Sequence, residues 1–137
     1  MYTDGRTGPG GPRVGVLLPQ TYMNDAGRSA GPARGALGVD LDHVLAIHDE
    51  IDLPFGTVQA RVGGGLAGHN GLKSLKRELG SAEFRRLRVG VGRPDTTDPE
   101  LVSAYVLGRF SEDPDDVARL VDAAADEAER LVAHTID

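Results

Sequence analysis

The chain has no cysteine, which excludes disulfides and thiolate chemistry from its folding and its function. Aromatic residues make up only 4 %, so a core has to be assembled mainly from aliphatic side chains. No apolar run approaches membrane-spanning length, and the N-terminus lacks a basic-then-apolar signal pattern. The cytoplasm is the expected location, with no membrane partner. Several chemistries are missing too. The glycine-rich stretch lacks the Lys-Ser/Thr ending of a P-loop and the G-x-G-x-x-G order of a dinucleotide site, and no G-x-S-x-G elbow occurs. His43, His48, Asp49 and Asp52 are close in sequence, but alternation on a strand sends His48 and Asp49 to opposite faces. Neither a metal site nor a cofactor is expected.

What is present fits one domain. A chain of 137 residues suffices for a single core. Net charge is −6, from 15 basic and 21 acidic residues, which argues against a coating of positive charge. The distribution is polarised, however. Residues 85–93 hold four arginines and no acid, whereas residues 112–129 carry most of the C-terminal acids. A local basic patch is compatible with that pattern.

In order, residues 1–13 read as a flexible lead-in, rich in Gly and Pro, with a domain over 14–137. Val14, Val16, Leu17 and Leu18 suggest a strand ending at Pro19. Asp25 to Gly38 has helical length, although its glycines and Pro32 make it a poor helix. His43 to His48 is apolar almost throughout, as a buried strand should be. Thr57 to Val62 alternates, with Val58, Ala60 and Val62 on one face and Gln59 and Arg61 on the other. After the glycine stretch a helix is predicted to Leu79, with Gly80 as its stop. Phe84 to Gly92 is a strand with Leu87, Val89 and Val91 inward and Arg86 and Arg88 outward. A short helix ends at Gly108. Asp113-Pro114-Asp115-Asp116 opens a last helix whose apolar face includes Val117, Leu120, Val121 and Leu131. Strands alternating with helices predict an α/β fold with a mixed twisted sheet and helices on both faces.

Three polar residues fall at strand or loop ends: Asn24, Asp49 and Asn70. An acid at the end of a buried strand can orient a histidine and stabilise its charged form. Two amides can hold a carbonyl or donate to a developing oxyanion without adding charge. Together they suit hydrolysis of an acyl bond by activated water. Singly, each also suits a turn or a cap; Asn70 stands where a helix N-cap would be.

The segments Pro19-Gln20-Thr21-Tyr22-Met23-Asn24, His48 to Gly56, Gly63 to Ser74 and Arg86 to Pro94 resemble bacterial peptidyl-tRNA hydrolase, as does Tyr105 to Phe110. They occur in that family's order and spacing from about Val14 onward. The resemblance implies cleavage of the ester between peptide and tRNA by histidine-activated water, with peptidyl-tRNA as partner and a monomer as the expected state. Asp49 matches the aspartate that holds the histidine. Asn24 matches the amide that binds the peptide end, and Asn70 the amide that helps to position water and carbonyl. Tyr22 matches an aromatic position at the tRNA end, and Met23 an apolar wall beside it. Arg61 and Arg88 match two basic positions that clamp a tRNA phosphate, and the last helix resembles a lid.

The departures are as specific. The family's Thr-Arg-His-Asn-like motif, which carries the catalytic histidine, has no counterpart here, nor do the first central strand and helix. Leu18 stands where the family has a lysine. The expectation is a family member lacking its N-terminal segment and inactive as given; the alternative is an RNA-binding relative without catalysis.

Overall fold

The computed structural model describes residues 2–6, 13–18, 25–65 and 69–133. The elements run β1 (Tyr2–Arg6), β2 (Arg13–Leu17), α1 (Ala26–Leu37), a 3-10 turn (Leu41–His43), β3 (Leu45–Glu50), β4 (Val58–Val62), α2 (Asn70–Leu79), β5 (Arg85–Gly90), α3 (Pro99–Leu107) and α4 (Pro114–Ala133). β1 and β2 form a two-stranded sheet, and a second sheet has the order β3-β5-β4. Arg85 N–H donates to Val44 O and Val91 N–H to Glu50 O, a constant offset that makes β3 and β5 parallel. Gly63 N–H donates to Phe84 O and Gly90 N–H to Thr57 O, which makes β4 antiparallel to β5. The sheet is mixed and the fold is α/β, as the sequence predicts. The chain divides into two compact units, Met1–Ala46 with Val62–Arg85 and Leu131–Asp137, and Ile47–Arg61 with Arg86–Arg130.

In the first unit the flexible lead-in expected over residues 1–13 is corrected at Tyr2–Arg6; residues 7–12 lie outside the described residues. Tyr2–Arg6 pairs antiparallel with β2, Tyr2 opposite Leu17 and Arg6 opposite Arg13. Ladder hydrogen bonds order this segment, and composition does not reveal a backbone partner. The core beside it is conventional: Leu72, Leu79 and Phe84 are buried, with Leu41, Val44, Ala46 and Leu75 packed against them.

The glycine-rich α1 packs as a helix where Gly27 and Gly31 face α2. A Cβ on Gly27 would lie 2.3 Å from the Ser74 carbonyl oxygen of α2, so only glycine permits that approach. Asp25 provides no side-chain cap to α1. Ser74, fully buried, accepts the Gly27 N–H through Oγ at 2.8 Å, so α2 satisfies an orphan donor at the start of α1.

In the second unit, the turn after β3 is pinned to the end of β5. Gly92 N–H donates to Leu53 O and Gly56 N–H to Gly90 O. A Cβ on Gly90 would meet the Pro54 oxygen at 2.2 Å, so the backbones can meet only over a glycine. Tyr105 of α3 donates its hydroxyl to Val91 O at 2.5 Å, and Phe55 stacks edge-on against Phe110 at 6.1 Å. In α4 the Asp113 carboxylate accepts from Asp115 N–H, the N-cap the sequence predicts.

Four residues depart from the burial their sequence pattern suggests. Ile47, on the apolar run of β3, is 56 % exposed; among the described residues β3 stands at one end of its sheet, beside β5. Val62 of β4, also at a sheet end, and Val121 of α4 are exposed as well. Arg86, expected outward, is 1 % exposed; its partners are described next.

Candidate functional site

Alternation places His48 and Glu50 on one face of β3 and Asp49 on the other. On that first face, β3 and β5 match polar residues two by two. His48 Nε2 accepts from Arg86 Nε at 3.2 Å, and Glu50 accepts from Arg88 Nε and Nη2 at 3.1 and 3.0 Å. Gln59 of β4 accepts from Arg88 Nη1. His48, Glu50 and Arg86 are all buried, so the ladder takes charged groups out of water with their hydrogen bonds made. Burial pushes the Arg86 pKa down, the Arg88 charge adds to that, Glu50 opposes it, and Arg61 lowers it further. A guanidinium stays protonated through such a shift, so three arginines and one carboxylate form a net positive face.

Arg61 sits on β4, exposed, in electrostatic range of Arg86. Arg88 is more enclosed than an outward arginine; its side chain is 14 % exposed. Arg61 and Arg88 thus stand on one charged face, but with very different freedom. Asp49 is half-buried and leaves β3 on the face opposite this ladder.

Asn70 is the first residue of α2 and exposed. It is not the cap. His69 fills that role, with Nδ1 accepting from Leu72 N–H at 3.2 Å. Among the described residues, nothing engages the Asn70 amide. Tyr22, Met23 and Asn24 lie outside the described residues.

The histidines can be judged as bases by their lone pairs. In His48 the Nε2 lone pair receives Arg86, and Nδ1–H donates to the Asp49 carbonyl at 2.8 Å. In His69 the Nδ1 lone pair caps α2. His43 lies 3.7 Å from Asp42 in the exposed 3-10 turn. His134 is outside the described residues. Asp40, Asp42 and His43 bring ligand atoms within 4.8 Å of one another, all three exposed. An open hollow of about 410 Å³ is lined by Phe55, Gly56, Asp116, Arg119, Leu120 and Ala123, none a candidate from the sequence.

Sequence reasoning missed His48, Glu50, Gln59 and Arg86 as members of a site. The usable signal was two strands with polar residues in phase, His48 and Glu50 on one and Arg86 and Arg88 on the other.

Comparison with known proteins gives the arrangement its context. The family described as Peptidyl-tRNA hydrolase matches residues 2–137, so the likeness starts before Val14 and takes in β1. A peptidyl-tRNA hydrolase of Pseudarthrobacter chlorophenolicus is 44 % identical over 96 % of this chain and 67 % of its own length. One from Geotalea daltonii is 48 % identical over 88 % of this chain and 62 % of its own. The crystal structure of peptidyl-tRNA hydrolase from Acinetobacter baumannii superposes with a TM-score of 0.80 at 32 % identity, covering 96 % of this chain and 65 % of that one. The chain therefore spans about two thirds of the length of these relatives. With the match running over nearly every residue, the chain belongs to the peptidyl-tRNA hydrolase family.

Proposed function

We propose that these 137 residues form the tRNA-gripping and substrate-positioning part of an enzyme that hydrolyses the ester of peptidyl-tRNA. Asp49 orients a histidine base, Asn24 and Asn70 hold the peptide end, carbonyl and water, and Tyr22 and Met23 line the tRNA end. Arg61 and Arg88 contact a tRNA phosphate. Beside the family match, the observation that carries the reading is Asn70: an exposed amide at a helix start, relieved of capping by His69.

In this reading none of the described histidines activates the water, and residues beyond these 137 supply the base. General-base catalysis needs a lone pair within reach of the attacking water. His48 and His69 have theirs engaged by Arg86 and Leu72, and His43 sits beside Asp42 in an exposed turn. The test compares turnover of labelled peptidyl-tRNA by the 137-residue chain with turnover by a version joined to the N-terminal residues of the Pseudarthrobacter relative. The joined form should be faster by about 10²–10⁴-fold. Equal, substantial rates would contradict the reading. Binding of tRNA without turnover in either form would favour a non-catalytic RNA-binding role.

A further inference from the structure

Glu50 is a carboxylate 6 % exposed. Its Oε1 accepts from both Nε and Nη2 of Arg88, while Oε2 accepts from Asp52 N–H at 3.4 Å, tying the carboxylate to the turn after β3. From β4, Gln59 Oε1 accepts from Nη1. Every nitrogen of the Arg88 guanidinium is therefore held, by groups on two different strands. A long side chain loses much rotamer freedom in such a lock, which a plain surface cation does not need.

The donor count shows what the lock leaves over. A guanidinium carries five N–H groups, one on Nε and two on each terminal nitrogen. Three are engaged here. Glu50 and Gln59 reach Arg88 from strands on either side of β5, so the two that remain, one on Nη1 and one on Nη2, are left at the outer end of the guanidinium, where two donors can meet two oxygens of one phosphate. Among the described residues, no other partner takes them.

We infer that Glu50 and Gln59 are positioning residues for phosphate recognition, holding Arg88 so that its last two N–H groups present a two-pronged donor to one tRNA phosphate. This rests on the proposed phosphate contact of Arg88. Charge alone argues the reverse effect for Glu50: removing an anion near a phosphate should tighten binding. The sign of the change separates the two accounts.

The experiment measures binding of unacylated tRNA to the 137-residue chain by fluorescence anisotropy across a salt series. Arg88→Ala should weaken binding and lower the salt slope by about one. Arg88→Lys keeps the charge but loses the fork, so it should bind about as weakly as Arg88→Ala. Glu50→Gln should weaken binding by about 3- to 10-fold although the protein becomes less acidic. Gln59→Ala, at an exposed position, should weaken it by about 2- to 3-fold. In an Arg88→Ala background neither substitution should alter affinity. Unchanged or tighter binding by a folded Glu50→Gln overturns the inference, as does a loss that persists without Arg88. If Glu50→Gln does not fold, Gln59→Ala decides alone. If Arg88→Ala itself changes neither affinity nor slope, the phosphate contact has failed, and the positioning role with it.

Discussion

The α1–α2 pair and the β3–β5 face solve the problem of burial in opposite ways. Between the helices, Gly27 lets backbones approach and a single hydroxyl, Ser74, deals with an orphan donor, while Leu72, Leu79 and Phe84 supply a dry core nearby. On the sheet, His48, Glu50 and Arg86 go inside and Ile47 goes outside. Apolar packing is tolerant: about the right volume suffices to fold. A buried ionic ladder is not, because removing either partner strands a desolvated charge. It is a poor device for stability and a good one for holding a cation in a fixed direction. The helix region is packed for stability, whereas the sheet face fixes its arginines in place.

The most severe way to break the comparison is in the apolar core. Phe84→Ala removes a side chain that is 0 % exposed and should lower stability by about 3–5 kcal/mol, read from chemical denaturation. Binding of tRNA per folded molecule should stay the same. A tRNA-specific defect would mean that the two regions are not separable in function.

Next in size is Gly27→Ala. The added methyl meets a backbone oxygen and cannot be relieved by a side-chain rotation, so about 1–3 kcal/mol of stability should be lost, against the usual gain from Gly→Ala in a helix. A more stable variant would show that the two helices can part cheaply.

On the sheet side, Arg61→Ala should leave the unfolding midpoint within about 0.5 kcal/mol, since Arg61 is exposed, yet reduce the salt slope of tRNA binding by about one. An unchanged slope would mark Arg61 as a solvated surface charge.

A further substitution, with no expected effect on tRNA binding, concerns the tail motif. Burial, then Glu112, raises the Tyr105 pKa above its ordinary value of 10.0. A raised pKa means the folded state favours the neutral phenol, so this contribution is intact below pH 10 and is lost as pH climbs from there through the folded value. Tyr105→Phe should remove that part of the alkaline decline and, by losing the bond to Val91 O, lower stability at neutral pH by about 1 kcal/mol. An identical alkaline profile in both proteins would put the decline elsewhere.

These differences track what was legible beforehand. The helices α2 and α4 could be read, because Gly80 and the Asp113-Pro114 start act through local backbone chemistry. The helix α1 looked poor because glycine lowers propensity, and its compensating contact lies 47 residues away on Ser74. The strand β5 was located correctly, but alternation sent Arg86 outward; a strand pattern cannot show that β3 presents His48 to it. Tyr2–Arg6 was invisible as a strand since its stabilisation comes from pairing with β2. At the candidate site, the position of Asn70 at a helix start was readable. That His69 would take the cap was not, because imidazole is an uncommon capping acceptor.

In the proposed function Asp49 serves the chemistry on one face of β3, while Glu50 on the other face holds Arg88 of β5 for the phosphate. The most direct test is Asp49→Asn in the form joined to a relative's N-terminal residues, with turnover of peptidyl-tRNA and binding of unacylated tRNA measured on the same preparation. The account predicts that turnover falls by about 10⁴-fold, as when a histidine loses its orienting carboxylate, while tRNA affinity and its salt slope do not move. A parallel loss in both quantities would contradict it and make Asp49 a structural residue of the sheet.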